Sequence, residues 1–294
     1  MYLTYLLRKI IGSKEKRDRI MYERLTEPLH LNFVSLLVLL FGKYKWKIDH
    51  DLIIRQQFAF CLWDAARLAQ WNGLKSFTAI EFGVGNGEGL LNMARIANKI
   101  TELTEIRINI VGFDLTTGLP LARDYRDMPE IFTAGSFANL QTEKLLRSFP
   151  QNTKLIVGEI EETAKVFLNT VSRDSPIGFV SVDVDYYYSA VSCLNVLKGD
   201  PAKYLPHTLI YLDDITVVSS SPEVGELLAV NEFNRDNPLR KIHKYPFLKS
   251  QRIFKNARWL DQIYLLHVLD HEFRSPEFQN SRNRVPNTRM NPLV

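Results

Sequence analysis

The residues best equipped for chemistry in this chain are carboxylates that follow short apolar runs. Glu81 lies in "AIEFGVGNGEG", Asp114 closes "RINIVGFD", and Glu159 follows "TKLIVG". Asp183 and Asp185 close "FVSVDVD", and Asp213 with Asp214 closes "LIYLDD". One acidic residue in such a place is ordinarily a helix cap; five successive instances exceed what capping explains. Grouped carboxylates could hold a cation or accept a proton. The first adjoins a loop with glycine at every second position, Gly83, Gly85, Gly87 and Gly89. Glycines there let a backbone approach a ligand closely. The spacing rejects two phosphate cradles. G-x-G-x-x-G fails in both registers, since residue 88 is Glu and residue 90 is Leu. No Lys-Ser/Thr pair follows, as a P-loop requires, and a glutamate inside the loop would repel a pyrophosphate.

For these carboxylates to meet, the elements before them must share one sheet. From Phe77 to about Asn234 the pattern alternates. "FTAIEFG", "RINIVGFD", "TKLIVGEI", "IGFVSVDVD" and "HTLIYLDD" read as strands. Glu88 to Ile100, "TEKLLRSF", "EETAKVFLNTV", "SAVSCLNVLK" and "EVGELLAVNEFNR" read as helices. Near-continuous apolar strands alternating with helices predict a parallel sheet covered on both faces. Such sheets bind ligands at the carboxyl ends of their strands, where the acidic residues fall. "RKIHKYPFL" and "DQIYLLHVLDH" add two strands, close enough in sequence to form an antiparallel pair at one edge. Leu52 to Trp71 reads as a helix ending at Asn72-Gly73, a C-cap signal.

The loop does fit acidic-x-Gly-x-Gly-x-Gly, filled by Glu81, Gly83, Gly85 and Gly87. In this it resembles the first motif of class I S-adenosylmethionine-dependent methyltransferases. That cofactor carries a cationic sulfonium and ammonium, which carboxylate surroundings favour. The resemblance implies a Rossmann-like α/β fold: a mostly parallel seven-stranded sheet, helices on both faces, an antiparallel edge strand, and here a helical N-terminal extension. It implies that Asp114 chelates the ribose hydroxyls, that Gly158, Glu159 and Ile160 lie beside the adenine, and that Asp183 also contacts the cofactor. It divides the chain into an extension or lid (1–75), a methyltransferase domain (76–272) and a tail without regular order (273–294).

Three further stretches narrow the match. "GFDLTTGLP" (Gly112–Pro120), "AGSF" (Ala134–Phe137) before "KLIVGEIEET" (Lys154–Thr163), and "SVDVDYYYSA" with "LIYLDDI" resemble the macrocin O-methyltransferase (TylF-type) family over about residues 78–235. Its members methylate sugar hydroxyls on macrolide antibiotics and related small molecules. The resemblance implies a magnesium ion held by Asp183, Asp213 and Asp214, with neighbouring hydroxyls of a sugar or catechol completing its shell. The metal would lower the pKa of one hydroxyl and orient it towards the sulfonium methyl, with Asp183 or Asp185 taking the proton. Two departures bear on the acceptor. Tyr186, Tyr187, Tyr188, Ser189 and Ala190 stand where the family tends to have Leu-Tyr and a small hydroxyl pair, and "YLPHT" replaces a Pro-Gly-Gly turn. The function this implies is O-methylation of a small-molecule hydroxyl. Its alternatives are an inactive cofactor-binding protein of the same fold and, less well matched, a nucleotide-dependent oxidoreductase.

The bulk properties agree with a globular enzyme: 294 residues, 46% hydrophobic and 24% charged. Residues 1–50 carry ten Lys/Arg against five Asp/Glu, an excess greater than the whole chain's net charge of +4, and the remaining residues sum to −1. The rest has no basic excess for nucleic acid. That segment reads as a membrane-surface or oligomer-contact element, or as a solvated helix followed by one packed on the main domain. Its run "FVSLLVLLF", Phe33 to Phe41, is too short for a transmembrane span. It predicts a buried helix or one that faces a partner, a homodimer contact among the choices. Cys61 and Cys193 read as buried free thiols of a cytoplasmic protein. His207, His243, His267 and His271 lack metal-ligand spacing.

Overall fold

The computed structural model describes residues 20–115, 117–136 and 148–283. Phe137, most of the expected helix "TEKLLRSF", the first nineteen residues and the end of the tail lie outside the described residues. Seven strands form one sheet in the order β3-β2-β1-β4-β5-β7-β6. They are β1 (Ser76–Phe82), β2 (Arg107–Asp114), β3 (Thr153–Val157), β4 (Ile177–Val182), β5 (Tyr204–Leu212), β6 (Arg240–Lys244) and β7 (Ile263–Val268). The first five pair in parallel. Strand β7 runs antiparallel between β5 and β6. The sheet is mostly parallel with an antiparallel strand near one edge, the Rossmann-like arrangement that the resemblance to class I methyltransferases implies.

The sheet has a core on each face because successive side chains point to opposite sides. On β1, Phe77 and Ala79 join Ile108, Ile110, Phe179 and Leu209 against helices α3 (Gln56–Trp71) and α4 (Glu88–Thr104). Helix α3 offers Ala59, Ala65, Ala66 and Ala69, all buried, so its backbone approaches the sheet closely. On the other face, Ile80, Phe82, Phe113 and Val182 pack against α5 (Ile160–Thr170), α6 (Tyr187–Asn195) and α7 (Gly225–Asp236). Phe113 stacks on Phe82 at 4.8 Å between centroids and meets Phe167 edge-on at 5.4 Å. Both cysteines are free and buried in these cores.

The extension contains α1 (Leu29–Phe41) and α2 (Tyr44–Asp49). Buried Arg252 anchors it, donating to the Ile48 carbonyl at 2.7 Å and to Asp51 at 2.6 Å. Arg24 donates to the carbonyls of His50 and Asp51. Of the two uses expected for the apolar run, burial does not hold, since only Ser35 and Val38 of α1 are buried. The core on this face of the sheet is closed by α3 and α4 and includes no residue of α1. At the other end, part of the tail expected to lack order is a short helix, α8 (Pro276–Asn283). No helix among the described residues is long and apolar enough to cross a membrane.

Candidate functional site

Strand order reverses between β1 and β4, and in open α/β sheets a crevice forms at that point, outside the carboxyl ends. Past its end β1 stays bonded to both neighbours, β4 on one side and β2 on the other. Asp183 N donates to the Phe82 carbonyl and Gly83 N to the Phe113 carbonyl, each at 3.0 Å. Gly83 has φ +84°, and a Cβ there would stand 1.7 Å from the Asp183 carbonyl oxygen. The loop can leave the sheet here only as glycine. Glu81 points to the α3/α4 side by the same alternation that buries Phe77 and Ala79. It fits because Gly89, at the start of α4, has no side chain: a Cβ there would lie 2.2 Å from Glu81 Oε1.

The crevice is a cavity of about 480 Å³, within the range of small-molecule sites. Of the residues singled out in the sequence, Glu81, Gly83, Gly85, Asp114, Ile160, Asp183 and Asp185 line it. Gly87 caps α4, while Gly158 and Glu159 lead from β3 into α5; these three are not in the wall. Asp213 and Asp214 are also outside the wall but reach it through neighbours. Asp214 Oδ2 accepts from Asp185 N at 3.2 Å, and Asp213 accepts from the Tyr211 hydroxyl. Gln262, on the turn into β7, donates to the Asp213 carbonyl at 2.6 Å and fixes this corner to the antiparallel strand. Asp114 Oδ2 accepts from Gly85 N at 2.6 Å, tying the glycine loop to the end of β2. A larger cavity, about 700 Å³, lies between α5 and the strand starts near Asn109 and Ser175. Among the described residues, Lys154 and Glu162 are its only ionisable wall residues, and they form no reactive cluster.

Burial and like charge push the carboxyls of the crevice upward. Burial raises Glu81 to about 8, with Asp114 adding to the rise and Arg55 opposing it. Asp214 is raised to about 8 by burial and by Asp185 and Asp213. Asp185 is raised to about 6 by burial and Asp213. Asp183 is pushed well above its ordinary range by burial and by Asp213, Asp214 and Asp185. Asp114 rises less freely, because Gly85, Val84 and Leu115 donate to it. Glu226, at the start of α7, belongs to the group too. It is buried, its Oε2 accepts from Asp214 N at 3.2 Å, and its Oε1 has no hydrogen-bond partner.

Three features were not legible beforehand. Arg55 lines the cavity from the residue preceding α3, held at φ +54°. Nothing in "IIRQQF" distinguishes it from a surface arginine; only the fold brings it beside Glu81. Glu226 likewise gave no motif. The tyrosine trio, which gave no sign of its partner, grips the segment after β2. Buried Tyr186 donates to the Pro120 carbonyl at 3.0 Å, while Arg123 sits over the Tyr188 ring at 3.7 Å and Arg126 over Tyr187 at 4.7 Å. That segment then presents Leu119 and Pro120 to the cavity. The histidines do meet at the β5–β7–β6 edge, with His207 and His267 rings 5.5 Å apart and His243 5.9 Å from His267. Arg274 Nη2 lies 2.8 Å from His207 Nε2, a cation where a metal would need to be. Among the described residues, no three His, Cys, Asp or Glu side chains are grouped so as to hold a metal ion.

No protein-family model and no curated protein matches the chain. Solved structures match at low identity. CalS11, a calicheamicin methyltransferase, is 17% identical, covering 74% of this chain and 88% of its own with a TM-score of 0.46. The O-methyltransferase NovP is 14% identical, covering 71% and 78%, with a TM-score of 0.48. These likenesses are to the fold and carry no argument about what the crevice binds.

Proposed function

We propose that the crevice binds S-adenosylmethionine and that the protein transfers its methyl group to a hydroxyl of a small molecule, a sugar or another vicinal diol. The observation that carries this reading is the pairing of Glu81 and Arg55 in one wall. Glu81 is buried with Oε2 lacking a hydrogen-bond partner, and Arg55 lies beside it. A carboxylate next to a guanidinium complements an amino-acid group, and the surplus of acid suits an additional positive sulfonium. A dinucleotide would bring its pyrophosphate against these same acids, so the oxidoreductase alternative is disfavoured.

On this reading Arg55 holds the amino-acid carboxylate, Glu81 the ammonium, and Asp114 the ribose hydroxyls, with Ile160 against the adenine. The cofactor supplies an electrophilic methyl on sulfur. Its transfer to the acceptor oxygen would leave the cofactor as a neutral thioether, so the chain's own part is to orient the hydroxyl and take its proton. The hydroxyl proton goes to a carboxylate. Asp185, raised only to about 6, is ionised at neutral pH and suits that task better than Asp183, which burial and its acidic neighbours push well above the ordinary range. The Asp183–Asp213–Asp214 group offers the hard oxygen donors magnesium prefers. As arranged, however, these side chains do not converge as an ion's ligands do, so no step is assigned to a metal. What favours a cation as a second reading is the crowding of these acids around the unpartnered Glu226 Oε1.

Calorimetric titration with S-adenosylmethionine, with and without Mg²⁺, tests the proposal. Binding is expected, and Glu81→Gln should weaken it about ten- to a hundredfold, the loss of one charge-assisted contact. Labelled methyl should then pass to an acceptor in a screen of glycosylated and vicinal-diol compounds. No cofactor binding rejects the reading; binding without transfer to any acceptor supports the inactive-protein alternative. Loss of transfer on chelation, restored by Mg²⁺, would establish the metal.

A further inference from the structure

Helix α1 is the part of the molecule that methyl transfer leaves unexplained. Phe33 is 70% exposed, Leu40 62% and Phe41 82%, and Leu29, Val34, Leu36, Leu37 and Leu39 are exposed with them. At 100° per residue these side chains sweep roughly 220° of the helix surface. Apolar surface of this extent marks an interaction site. A flat protein partner would cover one side of such a helix; the boundary between lipid headgroups and acyl chains can envelop all of the exposed arc. The thirteen residues of α1 extend about 20 Å, short of the roughly 30 Å hydrocarbon layer, so the helix would lie in the surface and not cross it.

The flanks supply the second argument. Directly after α1 comes "GKYKWK", which puts Lys43, Lys45 and Lys47 among Tyr44 and Trp46, with Trp46 exposed. Before it, residues 8–19 hold six Lys/Arg against two acids. Basic residues on both sides of an apolar helix attract anionic headgroups, and Tyr and Trp favour the membrane–water boundary. The remainder of the protein has no basic excess, so the charge is concentrated where the apolar surface is. Arg252, through the Ile48 carbonyl, and Arg24, over the Phe254 ring at 3.8 Å, fasten this region to the folded domain, so a docked helix would carry the rest of the protein with it.

We propose that α1 and the adjoining "KYKWK" dock the protein on an anionic bilayer surface. The test is flotation of the full chain with vesicles of phosphatidylcholine alone or mixed with phosphatidylglycerol, at low and high salt. The protein should float with the mixed vesicles and not with phosphatidylcholine alone. The double variant Leu36→Glu/Leu40→Glu should lose at least about tenfold in partitioning, given the cost of a charge in place of buried apolar area. Lys43→Gln/Lys47→Gln should lose about fivefold per lysine, and high salt should weaken the wild type similarly. Cofactor binding by calorimetry, unchanged in both variants, verifies that they fold. Absence of flotation with either vesicle overturns the proposal, as does flotation that survives the double glutamate substitution. A wild-type dimer that light scattering finds dissociated by the same substitution, without vesicle binding, would assign the face to a second copy of the chain.

Discussion

Asp185 is held at φ +61°, a left-handed conformation that costs an ordinary L residue about 1–2 kcal/mol and that Asp and Asn bear best. Its amide donates to Asp214, so the strained turn is fixed from the end of β5. Asp185→Asn keeps the conformation and removes the proton acceptor. In the proposed reaction kcat should fall about 10²- to 10⁴-fold with little change in cofactor affinity, measured by steady-state kinetics beside calorimetry. In the wild type, activity should rise with pH through about 6, as Asp185 loses its proton, and this limb should vanish in the variant. The carboxylates of this reaction could be picked out of the sequence because they follow apolar strands. Arg55 could not, because its role depends on the start of α3 lying over the end of β1, a tertiary fact without a local pattern.

At the scale of elements, the junction of β1 and β4 rests on one missing side chain. Gly83→Ala would push a methyl into the Asp183 carbonyl at a positive φ. The cost should be about 1–3 kcal/mol or more, seen as a lower thermal midpoint together with weakened cofactor binding. Strands β1 to β5 were legible because each is an apolar run flanked by helical periodicity. The position of β7 between β5 and β6 was not, since two adjacent strands in sequence can join an edge in either order. The fate of "FVSLLVLLF" was also hidden. An apolar run records that its side chains avoid water, and only the tertiary structure reveals that the core built on α3 and α4 includes none of them.

At the scale of the molecule, acid is concentrated at one pole of the sheet. Glu81 and Asp214, each raised to about 8, bind protons in the folded state that the unfolded chain has released. Their contribution to stability is therefore present below the ordinary carboxylate range and lost as pH rises towards 8. Thermal unfolding of the ligand-free protein should show its midpoint falling across that window, with a shallower fall in Glu81→Gln. Saturating S-adenosylmethionine should raise the midpoint, by about 2.7 kcal/mol of stability at a hundred times its Kd, and more at the alkaline end where Glu81 is ionised. The contact of Gly83 with the Asp183 carbonyl has a separate bearing on redesign. If the glycine loop binds the methyl donor and the β4 loop the acceptor, as proposed, the two share that backbone wall, and changes to the β4 loop aimed at a new acceptor will disturb cofactor affinity at the same time. The independent handle is the strap that Tyr186 and Tyr188 clasp, where Leu119 and Pro120 can be varied to reshape selectivity while the glycine loop stays untouched.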